Sequence, residues 1–227
     1  MSIAPCTIIV GALVAAAAAP AFGATITLSN LSSDAEANAL PFIERYVAEG
    51  RIGAGGGPAT FELALGASTV SPAQTANYAW QSGVATPFSL EYDAALGLAT
   101  YTVDGVSLEY AIDTDATDIF IRTRSANETT TMTIDNLTLN GDALAGLASA
   151  SGAGDVDILW IRSDMPLGDF LLRGDSTMTW AGSMPSQSTL AFQFKVGAVI
   201  PAPTGFGLAG AGLIGLGSAG FARRRRA

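Results

Sequence analysis

The sequence predicts an all-β fold over residues 24–199, a β-sandwich or jelly roll built from about ten short strands. Three observations carry this. Apolar and polar side chains alternate over short runs, as where Phe88, Leu90 and Tyr92 interleave with Ser89 and Glu91. Asp104-Gly105 and Asn140-Gly141 stand between such runs, and these pairs tolerate the positive φ of a two-residue hairpin. The runs also follow one another without a longer helical pattern between them, so sheet must pack on sheet.

In chain order, residues 1–23 come first and read as a secretory signal peptide. An uncharged run over residues 7–19 is followed by Ala21-Phe22-Gly23, which sets small residues at the first and third positions before a cut ahead of Ala24. Ser33 and Glu36 have the spacing of a capping box and open a short helical segment. Pro41 interrupts it, and residues 41–49 are expected to form a further turn or two. Residues 51–58, RIGAGGGP, form a loop. Strands follow at Phe88–Tyr92, at Tyr101 and Val103, and at Val106, Leu108 and Tyr110. Further strands are expected over residues 119–123, 132–139, 156–161, 170–173, 178–180 and 190–196. Residues 141–154, GDALAGLASASGAG, are a loop or a short helix.

The C-terminal segment differs in character. Residues 205–222 carry no charge, and as a helix they would extend about 27 Å, close to the ~30 Å hydrocarbon core of a bilayer. Seven of those 18 residues are glycine, which makes this a marginal span. Arg223, Arg224, Arg225 and Arg226 follow, and the positive-inside rule keeps them in the cytoplasm. Pro201 and Pro203 exclude helix just before the span and hold the backbone extended. Pro201-Ala202-Pro203-Thr204-Gly205, the span and the arginine cluster together resemble a PEP-CTERM sorting signal of Gram-negative bacteria, with Ala202 where that family usually has Glu. The resemblance covers residues 200–227. It implies recognition by an exosortase, a membrane protease or transpeptidase, after a signal peptidase has acted at the other end. It further implies an inner-membrane intermediate, then delivery to the cell surface or the exopolysaccharide matrix.

Charge and composition restrict the chemistry. With the four terminal arginines set aside, residues 24–200 hold seven basic and 20 acidic residues, a net charge of −13. Such a surface repels nucleic acid and stays soluble. The chain has no histidine, and its one cysteine, Cys6, lies in the predicted signal. Serine and cysteine triads, zinc sites of the His or Cys type and histidine acid–base catalysis are therefore excluded. Lys195 is the only lysine, and Phe192 occupies the position a Ser-x-x-Lys nucleophile would need. Gly53–Gly57 lacks the Gly-Lys-Ser/Thr of a phosphate loop.

Two acidic groups remain. Asp113, Asp115 and Asp118 have oxygen-ligand spacing, although the sixth position of an EF-hand template is Asp118 rather than Gly and the twelfth is Arg124 rather than Glu. The expectation is a solvated turn, with no metal and no cofactor. Asp155 and Asp157 share a strand face and are expected to be solvated too. Trp80, Trp160 and Trp180 are expected in the core more than on a sugar-stacking platform.

The body also resembles the choice-of-anchor exported bacterial domains, type W among them, at Phe42-Ile43-Glu44-Arg45, Gly50-Arg51-Ile52-Gly53, Tyr78-x-Trp80 and Pro87-Phe88-Ser89-Leu90. These are packing and turn residues. The functional expectation is an exported, non-catalytic surface or matrix protein with no assigned catalytic residue. The alternatives are a carbohydrate-binding module or a carboxylate-based polysaccharide hydrolase.

Overall fold

A computed structural model describes residues 24–53, 61–186 and 188–200. The predicted signal peptide, the residues Pro201 to Gly205, the span and the arginine cluster lie outside the described residues. Among the described residues no helix is long and apolar enough to cross a membrane.

The fold is all-β, with two antiparallel sheets facing each other across one core. The first sheet runs, edge to edge, β1 (Ile26–Leu31), β12 (Asp155–Ser163), β8 (Asp118–Ser125), β14 (Leu190–Val199), β2 (Phe42–Arg51), β3 (Leu63–Gly66) and β4 (Gln74–Ala76). The second runs β10 (Asp142–Ala143), β9 (Thr130–Leu139), β13 (Phe170–Trp180), β5 (Ala85–Asp93), β6 (Leu98–Val103) and β7 (Val106–Ala111). A short β11 (Ala148–Ser151) pairs with β9 on the side β10 also uses.

Alternation sets the core. Phe88, Leu90 and Tyr92 of β5 and Ala99, Tyr101 and Val103 of β6 turn inward, against Tyr46 and Ala48 of β2 and Phe192, Phe194 and Val196 of β14. The Phe88 and Phe194 rings meet at 4.7 Å between centroids, a tilted contact across the two sheets. Both predicted hairpins form. Asp104 and Gly105 take φ of 44° and 83°, and Asn140 and Gly141 take 54° and 89°, as the mirror-image type I turn requires. At Gly50 the close approach is of another kind. A Cβ there would stand 2.3 Å from Cζ of Phe192, its cross-strand neighbour, so the ring lies where any side chain would be.

The short helix α1 (Asp34–Asn38) is capped as its spacing predicts. Ser33 Oγ accepts from the Glu36 N–H at 3.3 Å, and the Glu36 carboxylate accepts from the Ser32 N–H at 2.7 Å. The residues after it depart from expectation. Residues 42–51 form β2, not helical turns, because nine of them pair with β14. A register shift between Val196 and Gly197 leaves Arg45 without an opposite residue, which breaks the alternation that would have marked the strand. Residues 170–180 are one strand rather than two. The intervening Arg173-Gly174-Asp175 is no turn: it pairs in unbroken register with β5, and the bulge lies opposite it in β9, where Asn136 and Leu137 face Gly174. Residues 141–154, expected as loop or helix, contribute β10 and β11, held by their pairing with β9.

The strand directions give the sandwich two distinct ends. Thr25 and Ile200 both leave at one end, where the Thr25 N–H bonds the Asp164 carboxylate and the Ile200 N–H donates to the Pro41 carbonyl at 3.0 Å. Loops 67–73, 94–97, 112–117, 140–141 and 164–169 share this end. Loops 104–105, 126–129, 152–154 and 181–186 lie at the other.

Candidate functional site

Asp113, Asp115 and Asp118 fall where loop 112–117 enters β8, and the fold separates them. Asp118 is 1 % exposed, because β8 is flanked by β12 and β14 and its first residue is drawn beneath them. Its carboxylate accepts from Trp160 Nε1 at 2.7 Å, from Thr117 Oγ1 at 2.5 Å and from the Val199 N–H at 2.8 Å. Those contacts tie three strands together and leave the group committed to structure. Asp115 is exposed and pairs with Arg45 at 3.3 Å, while Asp113 faces solvent. Among the described residues no group of three or more His, Cys, Asp or Glu is placed to hold a metal ion.

Asp155 and Asp157 share a face of β12, but they are not merely solvated. Their carboxylates accept from the Ser151 and Ser149 N–H groups at 2.7 and 2.8 Å. Two residues apart on one strand, they match donors two residues apart on β11, whose other edge is already paired with β9. The carboxylates act as a surrogate strand, closing an edge of the second sheet against the first.

The outer face of the first sheet gathers the cations. Arg45, Arg51, Arg122, Arg124, Arg162 and Lys195 all lie on its strands, whereas the second sheet has Arg173 alone. Arg122 binds Asp34 of α1 through two contacts of 2.6 Å, and this hydrogen-bonded pairing holds the Asp34 carboxyl below the usual carboxylate range. Lys195 meets Glu44 at 3.2 Å. Glu49, beside them, is buried. One of its oxygens accepts from Gln193 Nε2 at 3.0 Å, and the other lies 3.8 Å from Arg51 Nη1 without a hydrogen bond. Burial pushes the Glu49 carboxyl up, and the Gln193 bond and nearby cations only partly offset it. Burial likewise pushes the Tyr46 and Tyr101 hydroxyls up, and neither has a hydrogen-bond partner. They stay neutral.

Trp80 lies in the core and Trp180 packs against it, but Trp160, expected there too, lies on the outer face of the first sheet beside Phe120, because its neighbours Leu159 and Ile161 take the inward positions. Trp80 is buried and donates to the Arg51 carbonyl at 2.9 Å, while Trp160 and Trp180 are half-buried. Tyr78 and Tyr110 are half-buried as well, and no Trp or Tyr is among the fully exposed large side chains described. A cleft of about 510 Å³ opens between the edge strands β1 and β10, walled by Ile26, Leu28, Leu139, Leu144 and Leu167, with Asp142 its one carboxylate. That lining lacks the carboxylate pair a glycosidase uses.

The chain matches no protein-family model, and no curated protein is significantly similar to it. The sorting residues Pro201, Ala202, Pro203, Thr204 and Gly205 and the cluster Arg223–Arg226 lie outside the described residues. Sequence reasoning missed a set of exposed apolar loop tips, Val70, Leu96 and Met165. The available signal was a single large hydrophobe among turn-forming residues, as in Ser68-Thr69-Val70-Ser71-Pro72.

Proposed function

We propose that the chain is an exported surface or matrix protein whose sandwich is a non-catalytic structural or interaction domain, sorted by its C-terminal tail. In this reading a signal peptidase acts ahead of Ala24. The tail spans the inner membrane with the arginines inside, and an exosortase-type enzyme acts at Pro201–Gly205. The motif, span and arginine cluster in the sequence motivate it. The observation that carries it is the position of the last strand. β14 ends at Val199, Ile200 is tied to Pro41, and Pro201 follows at once. Cleavage within residues 201–205 would leave every described strand in the released body.

The direct test is replacement of Pro201 and Pro203 by Ala in the full chain within producing cells. Without the two fixed φ angles the span's helix is free to extend outward and deny a processing enzyme its extended substrate. Mass spectrometry is expected to show slower tail removal. The same mature C-terminus, formed at the same rate, would refute the motif.

A further inference from the structure

Single exposed hydrophobes are ordinary on a protein surface, but their collection at one end is not. Of the eight exposed large hydrophobic residues described, Ile43, Val70, Leu96, Met165 and Ile200 lie at the end from which the chain leaves, Val84 and Met184 lie at the other, and Leu147 lies between β10 and β11. Val70 is 93 % exposed, Leu96 72 % and Met165 53 %, and each sits in a different loop. We propose that this end of the sandwich rests on the bilayer surface while the tail spans it, with Val70, Leu96 and Met165 entering the lipid interface.

The inference builds on the membrane-spanning tail proposed above and adds a contact that reading does not require. Only residues 201–204 separate Ile200 from the proposed span over residues 205–222. Four residues reach at most about 14 Å when fully extended. The headgroup layer on each side of a bilayer is itself roughly 5–8 Å thick. A domain tethered this closely must present the end bearing Ile200 to the lipid.

The loops at that end are held in place. Asp93 accepts from the Leu96 N–H at 2.9 Å, Asp169 from the Ala94 N–H at 2.7 Å and Asp164 from the Thr25 N–H at 2.8 Å. Ser68 Oγ accepts from the Val70 N–H at 3.1 Å. Fixed tips lose little conformational entropy on contact. The same aspartates, with Asp113, make this end acidic, so the preferred surface is zwitterionic; anionic lipid would repel it.

The experiment uses the full chain with Cys6→Ser and one added cysteine for an environment-sensitive dye: Val70→Cys, Leu96→Cys or Met165→Cys, with Val84→Cys and Met184→Cys as controls. Each is reconstituted into phosphatidylcholine nanodiscs, and alkaline carbonate washing of parallel vesicles reports whether the tail is inserted. Dyes at 70, 96 and 165 are expected to show blue-shifted emission and quenching by nitroxide lipids, unlike dyes at 84 and 184. Equal water exposure at all five sites with the tail retained would overturn the contact and leave the tail reading standing. Loss of the protein on washing would overturn both. Equal shielding in phosphatidylglycerol discs would overturn the preference for zwitterionic lipid.

Discussion

Replacing Asp118 by Ala removes the acceptor shared by β8, β12 and β14. Three donors lose their partner: Trp160 Nε1, the Val199 N–H and Thr117 Oγ1. The threonine hydroxyl can rotate to another acceptor, whereas the indole and the backbone amide are fixed. A buried donor left unsatisfied costs about 1–3 kcal/mol, and water reaches the half-buried Trp160 in part, so the expected loss is about 2–4 kcal/mol. For a domain of this size that corresponds to a fall in Tm of roughly 5–15 °C. Asp118→Asn keeps one oxygen for the indole but turns an amide NH₂ toward the Val199 N–H, so it is expected to fall between wild type and the Ala variant. Differential scanning calorimetry with and without EDTA makes the measurement. A Tm within about 2 °C of wild type would refute the structural role. A loss seen only when calcium is present would instead make Asp118 a ligand.

The other predictions concern packing and titration. Gly50→Ala would set a Cβ 2.3 Å from the Phe192 ring, which Trp80, Phe88 and Phe194 hold from other sides. It is expected to cost about 1–3 kcal/mol in chemical denaturation, and an unchanged midpoint would show that the ring has room to move. Glu49 has a raised folded pKa, so the folded state holds its proton more tightly than the unfolded chain. Its contribution therefore falls as pH rises from the ordinary value of 4.5 through the folded value. Glu49→Gln should abolish that decline, so the stability of the variant relative to wild type should grow across this window. A difference independent of pH would refute the assignment. Asp34 has the opposite sign: its pairing with Arg122 stabilises above 3.8 and is lost as pH falls through the lowered folded value, so the two effects separate along the pH axis.

What could be read from sequence was local. Asp104-Gly105 and Asn140-Gly141 announce their hairpins because few residues accept positive φ at two successive positions, and Ser33 with Glu36 announces a helix start in the same way. Elements defined by distant partners were hidden. β2 is disguised by the bulge at Arg45, and β3, buried at all four positions, shows no alternation. β4 is three residues long. β1 does alternate, Ile26 and Leu28 against Thr27 and Ser29, so the pattern should have identified it. The acidic residues show the same limit. Asp118 looks like the third carboxylate of a solvated turn until β12 and β14 close over it. Asp155 and Asp157 gain their role only when β11 is brought beside them. The partly satisfied Glu49 depends on Gln193, which is 144 residues away in the chain.

Intact mass of the protein recovered from the envelope and culture medium of producing cells tests the central claim most directly, because one spectrum reports both ends. The expected species begins at Ala24 and has lost the arginine cluster and the span, with its C-terminus at or near residues 201–205. A species that keeps all 227 residues in both fractions would contradict it.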